Sequence, residues 1–142
     1  MTAYKKVFLD TTPLIYLLDS HEVYGERVRE ILEQLLNNHV QVVTSVITAE
    51  EYLVYPYRTG NQEKADAFED FLHECEIPVY PVNYEIAQRA ARIRAQYRHF
   101  KAMDSLQLAA ACAHGCQLFL TNDKQLKQFE DLKCITIDEW EN

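Results

Sequence analysis

Apolar and polar positions divide the chain into short apolar runs, each separated from the next by a longer stretch whose apolar residues recur every three or four positions. The short runs fit strands buried on both faces, and the longer spacing fits amphipathic helices. Strands are predicted at Lys5 to Leu9, Gln41 to Thr44, Ile77 to Tyr80, Gln117 to Leu120 and Lys133 to Ile137. The first helix is predicted to start with Thr12 as N-cap and Pro13 in the first helical position. A second, from about Val23 to Asn37, turns Val28, Ile31, Leu32, Leu35 and Leu36 inward. The third has Ser45 or Thr48 as N-cap, the latter with Glu51 at capping-box spacing, and is predicted to break at Pro56 and Arg58-Thr59-Gly60. Asn61 caps a fourth helix, to about Glu74, that pairs with the third as a hairpin standing off the sheet. Asn83 caps a fifth, from Tyr84 to about His99, with Ile86, Ala90, Ile93 and Tyr97 as its stripe.

The run KAMDSLQLAAACAHG, from Lys101, is a helix that is small and apolar almost all round, hence buried, and Gly115 supplies its left-handed stop. A short helix over Lys124 to Phe129 precedes the last strand, and Trp140 packs near the terminus. Strands and helices alternate throughout, which implies βαβ units and a mostly parallel sheet of four to five strands covered by helices on both faces, a three-layer α/β/α sandwich.

Composition adds bounds to this pattern. At 142 residues and 48% hydrophobic, with only 3 Gly and no repeat, the chain fits a single domain over residues 1–142 with a full core. No signal peptide fits Met1 to Lys6, and no apolar run approaches the ~20 residues of a membrane span. A soluble, cytoplasmic protein is expected. The scattered Cys75, Cys112, Cys116 and Cys134 suit reduced thiols rather than a disulfide framework. A zinc site from Cys112, His114 and Cys116 meets the objection that a helix turns Cys112 and His114 to nearly opposite faces.

Candidate chemistry lies in acids at element ends. Asp10 and Asp123 follow strands, the edge at which open α/β sheets bind ligands, and Asp104 lies at a helix start where free N–H groups favour an anion. Asp10 also has a plainer role open to it, as a cap of the helix that follows. Glu50 and Glu51 point about 100° apart, so at most one of them faces a given site. Carboxylates gathered in one crevice repel and raise one another's pKa. A divalent cation resolves that conflict, and oxygen donors without His or Cys select Mg²⁺ or Mn²⁺.

The net charge of -8 argues against a general nucleic-acid surface. Arg89, Arg92, Arg98 and Lys101 nevertheless form a basic run leading into Asp104. It reads either as a solvated helix face or as a guide for phosphate.

The stretches VFLDTTPLIYLLD from Val7, TSVITAEEYLVYP from Thr44, AMDSLQLAAA from Ala102 and FLTND from Phe119, in that order and spacing, resemble the PIN-domain family and, within it, the VapC-like toxins of toxin-antitoxin pairs. The resemblance spans nearly the whole chain. It implies a PIN-like fold and a metal-dependent endoribonuclease in which Asp10, Glu51, Asp104 and Asp123 hold Mg²⁺ or Mn²⁺. Glu51 is taken over Glu50 because the family's acid lies six residues after the Ser matched by Ser45. Thr11, Thr12 and Asn122 are implied as polar residues around the ligands, and the basic run as an RNA contact. An antitoxin partner and a homodimer are implied as well. Two other readings stand beside this one. A haloacid-dehalogenase-like phosphatase would use Asp10 as nucleophile, although Thr12 occupies the place of its second Asp. A PIN-like module without catalysis would only bind RNA or protein.

Overall fold

The computed structural model describes residues 4–141, so the part of the Met1 to Lys6 reading that falls on residues 1–3 lies outside the described residues. Its strands are β1 (Lys6–Leu9), β2 (Gln41–Ser45), β3 (Val79–Tyr80), β4 (Leu118–Thr121) and β5 (Lys133–Thr136). They form one parallel sheet in the order β3-β2-β1-β4-β5. The helices are α1 (Thr11–Leu18), α2 (Gly25–Asn37), α3 (Val46–Arg58), α4 (Gln62–Glu74), α5 (Tyr84–Gln96) and α6 (Ala102–Ala113). Two short 3-10 turns, Lys124–Gln128 and Ile137–Glu139, follow β4 and β5.

Alternation along the strands sends their side chains into two cores. Val7, Leu9, Val42, Leu118 and Leu120 pack on one face with Leu14 of α1, Val28, Ile31 and Leu35 of α2, Tyr52 of α3 and Phe68 and Leu72 of α4. Phe8, Val43, Phe119 and Cys134 pack on the other with Ile86, Ala90 and Ile93 of α5 and Leu108 to Ala111 of α6. Fully buried alanines at 109–111 let α6 lie close to the sheet, and the rings of Phe8 and Phe119 stack beneath it at 5.2 Å. This is the expected three-layer sandwich. The α3–α4 pair does not stand off it, because Tyr52 stacks on Phe68 at 4.8 Å inside the first core.

Several local expectations are corrected. Asp10, not Thr12, is the N-cap of α1: its side chain accepts from the Thr11 N–H, which puts Pro13 two positions deeper than expected. Ser45 caps α3 through the Ile47 N–H, so the alternative cap at Thr48 is not used. Pro56 lies inside α3, which runs on to Arg58 before Gly60 (φ +64°) turns the chain. Helix α5 stops at Gln96 with Tyr97 as C-cap, and the strand at Ile77 shrinks to Val79–Tyr80. Gly115 takes the expected positive φ of +71° after α6. Trp140 is buried, its Nε1 donating to Gln34 Oε1 at 3.1 Å. The four cysteines are free.

Candidate active site

In this strand order the chain moves from β1 out to β2 and β3, then crosses back to place β4 on the other side of β1. The crevice outside the carboxyl ends of β1 and β4 is therefore the switch point at which such sheets accept ligands. Asp10 leaves β1 there, its backbone N–H extending the ladder to Leu120 O at 3.0 Å. Asp123 leaves β4 through Thr121 and Asn122. Glu51 comes from α3 and Asp104 from the first turn of α6, so four elements deliver four carboxylates to one edge.

Asp10 is the most enclosed, with 6% of its surface exposed. One oxygen accepts from the Thr11 N–H at 2.9 Å and the other from Thr121 Oγ1 at 2.8 Å. Burial nevertheless pushes its pKa from 3.8 up to about 6; the two hydrogen bonds oppose the shift, and the charges of Asp104 and Glu51 add to it. Asp104 is also raised, first by burial and then by Asp123 and Glu51, with Lys101 acting in the opposite direction. Glu51 Oε1 accepts from Thr11 Oγ1 at 2.6 Å, which turns Glu51, not Glu50, toward the other acids. Asp123 accepts from the Gln125 N–H at 3.0 Å, while its own N–H donates to Thr121 Oγ1 at 3.1 Å.

Beneath the acids lies a buried polar layer that sequence reasoning missed. Gln107, 1% exposed, donates from Nε2 to Thr48 Oγ1 at 2.7 Å, stands 3.4 Å from both Asp10 Oδ1 and Thr11 Oγ1, and receives the Ser45 hydroxyl on Oε1. Thr44 Oγ1 donates to Leu9 O and lies 2.8 Å from Thr48 Oγ1. One signal was available: Gln107 is three residues after Asp104 on the same helix face, and a glutamine in a helix otherwise buried and apolar needs a polar partner.

The expected neighbours divide. Thr11 joins the acids, whereas Thr12 is exposed and makes no hydrogen bond to any of them among the described residues. Asn122 donates to the Tyr16 hydroxyl at 3.2 Å rather than to a carboxylate. The basic run is split. Lys101 immediately precedes α6 beside Asp104, and Arg98 lies in the turn before it, but α5 and α6 fold back on one another and carry Arg89 to Cys112. Cys112 is eight residues past Asp104, roughly 12 Å along the helix axis. Arg89 and Arg92 thus open on a separate groove of about 400 Å³ with Gln88, Glu85 and His114. Cys112 turns to Arg89 and the His114 ring stacks on Tyr80 at 3.5 Å, and among the described residues Cys112, His114 and Cys116 do not come together as a metal-holding group.

The donor set at the sheet edge consists of hard carboxylate and hydroxyl oxygens, and among the described residues no Lys or Arg forms an ion pair with any of the four acids. A hard divalent cation fits this chemistry. The acids stand near enough to raise one another's pKa, yet among the described residues no three His, Cys, Asp or Glu side chains are drawn together closely enough to hold a metal ion. The arrangement is an open cradle.

A family model for the PIN domain matches residues 7–132, and the chain belongs to the PIN-domain family. Nucleases are typical of that family. No curated protein sequence matches the chain. Among solved structures, VapBC2 from Rickettsia felis, bound to a DNA fragment from its promoter, superposes with a TM-score of 0.77 at 16% identity, covering 92% of this chain and 98% of that one. A toxin-antitoxin complex from Klebsiella pneumoniae gives 0.73 at 21% identity over 92% and 97%. The sarcin-ricin loop cleaving toxin VapC20 of Mycobacterium tuberculosis gives 0.66 at 17% over 89% and 98%. These likenesses establish a shared fold.

Proposed function

We propose that the chain is a VapC-like toxin: an endoribonuclease that needs Mg²⁺ or Mn²⁺ and hydrolyses an RNA phosphodiester bond. The observation that carries this reading is the gathering of Asp10, Glu51, Asp104 and Asp123 at the switch point of a PIN fold, with no Lys or Arg in an ion pair with them among the described residues. Asp10 and Asp104 are the central ligands, and Glu51 and Asp123 complete the set from either side. A divalent ion held there supplies positive charge to the scissile phosphate and to the water that attacks it.

The chain's own side chains do the rest. Thr121 and the Thr11 N–H fix the two oxygens of Asp10, Thr11 Oγ1 fixes Glu51, and Gln107 locks the layer below, so the ligands are oriented before substrate arrives. Water adds to phosphorus as the bond to the leaving 3′ oxygen breaks, and no side chain becomes covalently attached. Lys101 and Arg98, at the rim, are the cations placed to draw the RNA backbone past the acids.

A small antitoxin is the proposed partner, by analogy with the Klebsiella pneumoniae complex. The exposed Tyr55 and Tyr57 of α3 are the surface proposed for a homodimer. On this reading the protein acts in the cytoplasm, and no helix among the described residues is long and apolar enough to cross a membrane.

The test is cleavage of single-stranded RNA with Mg²⁺ or Mn²⁺, with and without EDTA, for the wild type and Asp104→Asn. Asp104 makes no side-chain hydrogen bond among the described residues and does not cap its helix, so this substitution removes a ligand and little else. Cleavage should disappear in EDTA and fall at least about 100-fold in the variant. Cleavage that persists in excess EDTA would overturn the proposal.

A further inference from the structure

At the same sheet edge, on the β5 side of the acids, stands an aromatic cluster that the hydrolytic chemistry does not use. The rings of Tyr16 and Tyr24 stack at 5.1 Å and 16°, and the His21 ring leans on both, with centroids 4.4 Å from Tyr16 and 5.5 Å from Tyr24. Two hydrogen bonds tie the cluster to the edge. The Tyr16 hydroxyl accepts from Asn122, the residue before Asp123, and the Tyr24 hydroxyl donates to Asp138 Oδ2 at 3.3 Å, just beyond β5.

The α1–α2 turn is built to hold the imidazole in one orientation. His21 Nδ1 accepts from the N–H groups of both Val23 and Tyr24 at 3.1 Å, which leaves the proton on Nε2. The His21 N–H donates to Tyr16 O at 2.9 Å, and Ser20 takes a positive φ of 52° to close the turn. His21 itself is exposed, and Val23 beside it is 69% exposed. A ring fixed by two backbone donors in a residue that stays exposed is suited to stacking against a further flat group. It is not merely core packing.

We propose that the Tyr16–His21–Tyr24 cluster is a stacking platform for one unpaired nucleobase of the RNA whose backbone crosses the acids. This rests on the ribonuclease reading above. The occupant is a base rather than a phosphate because the charged group at the platform, Asp138, is an anion, and because flat rings with polar edges match a base face. It is RNA rather than a protein side chain because the platform is joined through Asn122 to the site where the phosphate would lie. Stacking of this kind tolerates any base, so the platform would set where along a single strand the cut falls, not its sequence.

The test separates the ring from its hydrogen bonds. His21→Asn keeps an acceptor for the Val23 and Tyr24 N–H groups and removes the π face; His21→Phe does the reverse. The probe is a short single-stranded oligoribonucleotide carrying the fluorescent adenine analogue 2-aminopurine at successive positions, bound in EDTA, and the same strand is then cleaved in Mg²⁺. Wild type and His21→Phe should quench the probe at one position. His21→Asn should lose that quench, bind roughly 10-fold or more weakly, and cleave with raised KM and unchanged kcat. Equal quenching and KM in wild type and His21→Asn would overturn the platform while leaving cleavage intact, as would weaker binding in Phe alone. A wild-type protein that neither binds nor cleaves RNA would overturn the ribonuclease reading and the platform with it.

Discussion

At the residue scale, Asp10 shows how a buried carboxyl, proposed here as a metal ligand, sets itself against stability. Without a bound cation the folded chain keeps Asp10 protonated up to about pH 6, against an ordinary value of 3.8. The fold therefore binds this proton more tightly than the unfolded chain does. The carboxyl costs nothing below about pH 4, and stability is lost as pH rises through 6, by up to about 3 kcal/mol. Asn is as good an N-cap as Asp, so Asp10→Asn should raise Tm by several degrees in EDTA near pH 7.5, leave it unchanged near pH 4, and abolish cleavage. A lower Tm at neutral pH would contradict this. Gln107 poses the opposite case. Gln107→Leu keeps the volume but takes the acceptor from the Ser45 hydroxyl and leaves Thr48 with only Thr11 and Thr44, so it should cost about 2 kcal/mol in urea unfolding and slow cleavage about 10-fold through misdirected ligands. Asp10 and Asp123 stood out in sequence because each follows an apolar run that reads as a strand, and Asp104 because it opens a helix, whereas Glu51 was singled out only by the family resemblance. The layer of Thr44, Thr48, Gln107 and Thr121 was not, since its members are polar residues scattered through segments whose pattern is otherwise apolar, and only the fold brings them together.

At the element scale, helix termini carry the site. Asp10 caps α1, Ser45 caps α3 beneath Glu51, and Asp104 lies in the first turn of α6, so the same local rule that starts a helix also presents an oxygen to the crevice. The cap of α1 was misread because Pro in the first helical position is the commoner arrangement; here the strand ends directly in the cap and Pro13 sits deeper. The α1–α2 turn depends on Gly25, where an added Cβ would lie 3.0 Å from Tyr16 O and 3.2 Å from the Ser20 carbonyl carbon. A Gly→Ala change within a helix ordinarily stabilises. At Gly25 the sign should reverse: thermal unfolding of Gly25→Ala should show a loss of about 1 to 3 kcal/mol, because both close atoms are backbone. An unchanged or higher Tm would mean that the turn yields without cost.

At the scale of the whole molecule, alternation of strands and helices was enough to predict a parallel sheet with helices on both faces. Strand order was not, since nothing in the short apolar runs says which lie side by side. The basic run shows the same limit: residues consecutive on α5 and the following turn appear as one strip in sequence, and the return of α6 along α5 separates them into a rim beside Asp104 and a groove at the far end. Charge on the rim should therefore matter more. Lys101→Glu should weaken RNA binding and reduce the slope of log affinity against log salt by about one unit, while Arg89→Glu should leave the slope nearly unchanged. Equal effects would join the two clusters into a single RNA path.

The central claim is that four acids from four elements together hold a divalent ion. Titration calorimetry with Mn²⁺ addresses it without any assumption about substrate. The wild type should bind Mn²⁺ near neutral pH, more weakly as pH falls through about 6 and Asp10 takes up its proton, and Asp104→Asn and Asp10→Asn should each lose most of that affinity. Binding that is absent in the wild type, or that survives both substitutions unchanged, would contradict it.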